Sequence, residues 1–160
     1  MRPIPYNRTL AVDYAHKWAL SRNPAYYDFE EIGGDCTNFA SQCIYAGAGV
    51  MNYTPVLGWY YTSAYNRTPS WSGVEYLYSF LTTNKSVGPY AREVSASEAR
   101  PGDIVQMGTS AGDFYHSPVI TAVSPVILVC AHPYDAYDRP LSSYVFDRVR
   151  FLHIEGVLTW

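Results

Sequence analysis

At 160 residues the chain has the length of one domain with a sizeable core, and with 16% charged and 16% aromatic residues it holds too much apolar surface to be disordered. A formal net charge of −3 leaves no basic face for a nucleic-acid partner. The longest apolar run, 118–131, is too short to cross a bilayer and is broken at Ser124-Pro125, so no membrane partner is expected.

In chain order, Leu10, Tyr14 and Trp18 recur at helical spacing beside Ala11 and Ala15, predicting a first helix capped by Asn7 or Thr9. Pro24 ends it near Asn23. Glu30 to Asp35 reads as a turn into a second helix from about Cys36 to Ala46, closed by Gly47. The aromatic, turn-rich stretch 48–69 reads as a long ordered loop. A third helix opens with the capping-box pattern Ser72-x-x-Glu75 and carries Trp71, Val74, Leu77, Tyr78 and Leu81 on one face. After Pro89 the pattern changes to strands: Ile104–Met107, His116–Val123 and Val126–His132, with a turn at Ser124-Pro125. The tail from Tyr144 to Gly156 supplies one or two more. Helices over about 7–83 followed by strands over about 103–156 predict a single α+β domain, helices packed on an antiparallel sheet.

Three cysteines leave at least one thiol free, and no C-x-x-C pair or other cofactor motif is present. Cys36 and Cys43, seven residues apart on one helix, stand about 10 Å apart along its axis, beyond the roughly 7 Å limit for a disulfide. Cys43 and Cys130 read as small buried hydrophobes. Cys36 differs because Gly33-Gly34-Asp35 delivers it to the first turn of a helix. There the unpaired N–H groups and the helix dipole favour an anion, so a thiolate is stabilised and an oxyanion could be received. The alternative is a cysteine that merely packs beneath a glycine turn.

His116, opening a strand after a loop, is the candidate base. A three-residue turn at 123–125 sets it directly opposite His132, which would then orient its ring. A two-residue turn puts the two histidines on opposite faces, and Asp135 becomes the better orienting group. Asn38, Ser41 and Gln42 read as helix-to-loop hydrogen bonding. Trp59 and Trp71, with Tyr60, Tyr61 and Tyr65, either line a groove for sugar or peptide or fill the core; Arg8 and Arg139 are either carboxylate partners or surface charges.

These residues resemble a known family. Asn7-Arg8-Thr9, Asn23-Pro24-x-Tyr26, Gly33-Gly34-Asp35-Cys36-Thr37-Asn38-Phe39, Trp59, Trp71-Ser72-Gly73, Pro101-Gly102-Asp103, His116-Ser117 and Asp138-Arg139-Pro140-Leu141-Ser142 are similar to the putative amidase domain family of Gram-positive bacteria. The resemblance runs from about Tyr6 to Ile154 and extends to the CHAP and NlpC-type cell-wall hydrolases. It implies a papain-like fold, a Cys36 nucleophile, a His116 base and a polar third residue matching His132. It also implies that Asp35 helps bind substrate. The family's usual His-Thr reads His132-Pro133 here, which keeps Asp135 in contention. The expected activity is cysteine-dependent hydrolysis of an amide bond, with peptidoglycan or a related peptide as substrate. An acyltransferase using the same site and a silent cell-wall peptide-binding module are the alternatives. A wall hydrolase would act outside the cell, yet Met-Arg-Pro-Ile-Pro-Tyr holds no apolar signal run and equally suits a cytoplasmic protein.

Overall fold

The computed structural model describes all residues from Met1 to Trp160. Four helices, α1 (Arg8–Trp18), α2 (Asp35–Ala48), α3 (Pro69–Ser72) and α4 (Val74–Thr83), accompany an eight-stranded antiparallel sheet. Its strands are β1 (Arg2–Ile4), β4 (Gly88–Val94), β5 (Ile104–Gly108), β6 (Phe114–His116), β7 (Val119–Ala122), β8 (Leu128–Ala131), β9 (Ala136–Pro140) and β10 (Arg148–Thr159). A separate hairpin joins β2 (Tyr61–Ser63) and β3 (Asn66–Arg67). The domain is therefore α+β, with the sheet ordered β1-β10-β5-β7-β8-β9 and the long last strand in its middle, pairing with β1, β4 and β5.

Helix α2 is the centre of the molecule. Every residue from Asp35 to Ile44 is buried, so this helix is enclosed all round rather than amphipathic. It packs with α1 through Ala11 and Ala15, both fully buried, while Leu10 of the expected stripe is 50% exposed. Small residues win that face because they let the two helices approach closely. The same need explains Gly47: it lies inside α2, where a Cβ would sit 2.6 Å from the Tyr6 ring, and the left-handed cap is Gly49. Asn7 caps α1 through a bond from Leu10 N–H, as expected. Ser72 does not cap α4; Gly73 stands at that position and Ser72 Oγ accepts from Arg67 instead.

Alternating residues of the strands feed two cores. Ile104, Val119, Cys130 and Leu152 face the helices, while Val105, Ile120, Val129 and Phe151 face a smaller cluster closed by Ala99 and Leu141. Between β6 and β7, Ser117-Pro118 interrupts what the sequence pattern reads as one strand, because proline cannot donate to the ladder. The stretch 48–69 is more ordered than expected: Asn52 bridges Trp59, and the β2–β3 hairpin follows. Strands β1 and β4, at the edge of the helical region, carry too few residues or too little alternation to be read in advance.

Candidate active site

Gly33 takes a left-handed φ of 82°, and Gly34 passes close to the α3 end, where a Cβ would lie 3.2 Å from Ser72 O. This turn starts α2 at Asp35 and sets Cys36 in its first turn, 9% exposed at the floor of a cleft of about 390 Å³. His116, the last residue of β6, lines the same cleft, together with Tyr115, Arg139 and Tyr144. Cys36 and His116, eighty positions apart, thus face one space. The Cys36 thiol contacts the Tyr115 carbonyl at 3.8 Å and Thr37 Oγ1 at 3.6 Å, and it is not hydrogen-bonded to the His116 ring.

A hydroxyl contact holds the two segments together. Thr37 Oγ1, next to the cysteine, lies 3.2 Å from Ser117 Oγ, next to the histidine. Ser117 Oγ in turn accepts from the buried Gln106 amide at 3.1 Å, and Gln106 Oε1 accepts from Arg150 at 2.8 Å. Thr37 and Ser117 appear in the sequence motifs only as neighbours of Cys36 and His116, and Gln106 only as a strand residue; their contact exists once α2, β5 and β6 are packed together.

Burial raises the Cys36 pKa above its ordinary value and outweighs the hydrogen bonds from Thr37 and the Ser117 backbone. The thiolate expected from the helix terminus is therefore not the resting form. Burial, helped by the Arg139 charge, pushes His116 down to about 4. Near neutral pH the cleft is therefore lined by a thiol and a neutral imidazole.

His132 and Asp135 do not orient His116. The β7–β8 ladder pairs Val119 with Cys130 and Ile120 with Val129, not the register that sets His116 opposite His132, and β6, which carries His116, pairs with β5 instead. His132, 2% exposed, puts Nδ1 2.7 Å from Asp35 Oδ2 and Nε2 2.8 Å from the Trp18 carbonyl, and stacks on Phe39 at 4.0 Å. Asp135 is held by Arg22 in a bidentate pair of 2.9 and 3.0 Å. Arg22, unnoticed in the sequence, also stands 3.4 Å from Asp28, 3.6 Å from Glu30 and 3.5 Å from Asp35. Its partners span residues 28–135, so no local pattern announces it.

Asp35 is spent within the protein rather than offered to substrate. One oxygen accepts from Phe29 N–H and the Asn38 amide, and the other meets His132. Burial opposes its ionisation, but these bonds more than offset that and hold the carboxyl below its ordinary range. Trp59 and Trp71 are likewise fully buried, their rings 4.9 Å apart, with indole N–H groups donating to Ser41 and Asn38. They are core residues, not a groove. Asn38 donates to the Tyr27 carbonyl, the helix-to-loop bond expected of it, whereas Gln42 accepts from Tyr14 of α1 and Ser41 donates to the Trp71 carbonyl of α3, so these two tie helix to helix. Arg8 is no free cation, since it pairs at 2.7 Å with the fully buried Asp103.

All three cysteines are free. Away from the cleft, His16, Cys130 and Asp138 bring three donor atoms within 4.8 Å of one another. Asp138 Oδ1 is the common acceptor there, at 2.8 Å from His16 Nε2 and 2.6 Å from Thr121 Oγ1. The cluster thus closes on itself as a hydrogen-bonded knot.

Comparison with known proteins places the chain. Residues 5–154 match the family model described as "Putative amidase domain". The chain is also 34% identical over 144 residues to the uncharacterized protein YhbB of Bacillus subtilis, covering 86% of this chain and 45% of that protein. The chain thus spans less than half the length of this relative. No solved structure matches it. The chain belongs to the putative amidase domain family.

Proposed function

We propose that this family member hydrolyses an amide bond through Cys36 and His116, by way of an acyl-enzyme. The observation that carries the reading is that a helix-terminal thiol and a strand-end imidazole, far apart in sequence, line one cleft. Substrate entry displaces the thiol from the Tyr115 carbonyl toward the imidazole, which removes its proton as sulfur attacks the carbonyl carbon. The N–H of Cys36, in the first turn of α2, has no partner within its helix and is placed to receive the oxyanion. The imidazolium then protonates the leaving amine, and water, deprotonated by the same ring, releases the acid and restores the thiol. A helix-borne cysteine and a strand-borne histidine lining one cleft support a papain-like reading of this α+β domain. The likeness of the Gly-Gly-Asp-Cys motif to wall hydrolases makes peptidoglycan the first substrate to test.

The test is release of new amine and carboxyl termini from purified peptidoglycan and from isolated stem peptides. Wild type yields products, and Cys36→Ala and His116→Ala yield none while retaining wild-type circular dichroism. Equal product from Cys36→Ala overturns the reading. Added amine nucleophiles captured in place of water would identify an acyltransferase instead.

A further inference from the structure

Arg139 is the cation among the residues lining the cleft, and it has no carboxylate partner in the protein. Its position is built. The guanidinium lies 3.7 Å over the Tyr144 ring, Nε donates to Ser143 Oγ at 2.8 Å, and Nη2 donates to the Ser143 carbonyl at 3.1 Å. Nη1 is left without a protein acceptor, so one edge of the fork is free. Beside it, the Tyr144 hydroxyl is buried with no hydrogen-bond partner.

The backbone before Arg139 is shaped as well. Asp138 takes a left-handed φ of 48°, where the β8–β9 register slips between the Val129–Arg139 and Ala131–Ala136 pairs. Bulges of this kind re-aim the next side chain. The knot of Thr121, His16 and Cys130 around the Asp138 carboxylate holds this bend in place. The other charges at the cleft are already committed: Glu30 faces Arg22 at 3.6 Å, and Asp35 is bound to His132. A surface arginine with no role would need neither the stacking nor the bend.

We propose that Arg139 is a carboxylate subsite, so that the substrates of this cleft are amides bearing a free carboxylate close to the scissile carbonyl. The planar fork suits such a group, and its charge lies where the protein as a whole, at −3, would repel an anion. The inference rests on the cleft being the place where the thiol meets its substrate.

A protection experiment tests it without requiring turnover. Iodoacetamide alkylates Cys36, and the rate is followed by intact mass with N-methylsuccinamate, an amide carrying a carboxylate, or with N-methylsuccinamide, its neutral counterpart, as protectant. The expected result is that the acid protects wild type and the diamide does not. In Arg139→Gln the concentration of acid needed rises roughly tenfold or more, the worth of one charge-assisted pair. Arg139→Lys, which keeps charge but loses the fork and the stacking, falls between. Arg148→Gln, which removes a charge outside the cleft, behaves as wild type. Equal protection by acid and diamide, no protection by either, or an unchanged requirement in Arg139→Gln overturns the subsite while leaving the cysteine site standing. Failure of iodoacetamide to reach Cys36 in the folded protein overturns both.

Discussion

Two histidines of similar sequence standing meet opposite fates. His132 has an acceptor at each ring nitrogen and an aromatic ring against its face, whereas the His116 ring has a cleft on one side and makes no hydrogen bond. Their neighbours on α2 divide in the same way: Asp35, though at the cleft wall, is bound to His132, and the Cys36 thiol has no such partner side chain. The lesson is that a saturated imidazole is a structural joint, and the one left short of partners is available to move a proton. The behaviour of variants should follow this division.

The largest contrast is expected in turnover. Cys36→Ala and His116→Ala should each lower amide hydrolysis by about three orders of magnitude or more, with urea midpoints near wild type. His132→Ala should do the reverse. It strands Asp35 without its closest partner, and breaking a buried pair in this way costs roughly 3–5 kcal/mol. Urea unfolding should show that loss, while the protein that remains folded keeps its pH profile. A His132 variant of normal stability and no activity would erase the distinction drawn here.

Acid should act on His116 and on Asp35 in different ranges. His116 is pushed down to about 4 by burial and the Arg139 charge, so the folded protein keeps it neutral where an unfolded chain, near 6.5, takes up a proton. The unfolded state therefore binds more protons in this window, and stability falls as pH drops from 6.5 toward 4. Asp35, whose carboxyl is held low, adds a loss only at more acid pH, as its folded form is finally protonated. Melting temperature against pH should show the first slope shrink in His116→Ala. The acid limb of activity should lie near pH 4 in wild type and move upward in Arg139→Gln, which lacks the opposing charge.

Smaller effects sharpen the same boundary. Ser117→Ala removes the hydroxyl shared by Thr37 and Gln106 and should cost about 1–3 kcal/mol, the penalty for buried groups left without a partner. A modest fall in kcat should accompany it, as Cys36 and His116 lose their shared restraint. Asp135→Ala should be smallest, within about 1 kcal/mol, because the pair it forms with Arg22 is partly exposed and Arg22 keeps other carboxylates nearby. A large activity loss in Asp135→Ala would return that residue to the catalytic machinery.

Much of this division was open to reading along the chain, and the remainder was not. The helix and the glycine turn around Cys36 follow from local chemistry, since a left-handed residue and an N-terminus are properties of a few neighbours. The role of His132 depended on whether the turn at Ser124-Pro125 shifts the ladder by one, and residue identity leaves that choice open because β7 and β8 are apolar and buried on both faces, with Val119 and Cys130 in one core and Ile120 and Val129 in the other. Trp59 and Trp71 show the same limit: a ring stacks on sugar or on another ring with equal ease, and only the packing of α2 against α3 puts them inside.

What the chain determined by itself was the α+β class, the glycine turn that leads into α2 before Cys36, and the identity of a cysteine and a histidine suited to acyl chemistry. These follow from short-range sterics and from hydrophobic period. Tertiary structure alone decided that His132 turns to Asp35 and the Trp18 carbonyl rather than to His116, that burial raises the thiol rather than lowering it, and that Arg139 ends up in the cleft wall. Each of these depends on desolvation and on partners brought together from distant strands, quantities that exist only once the sheet has closed over α2.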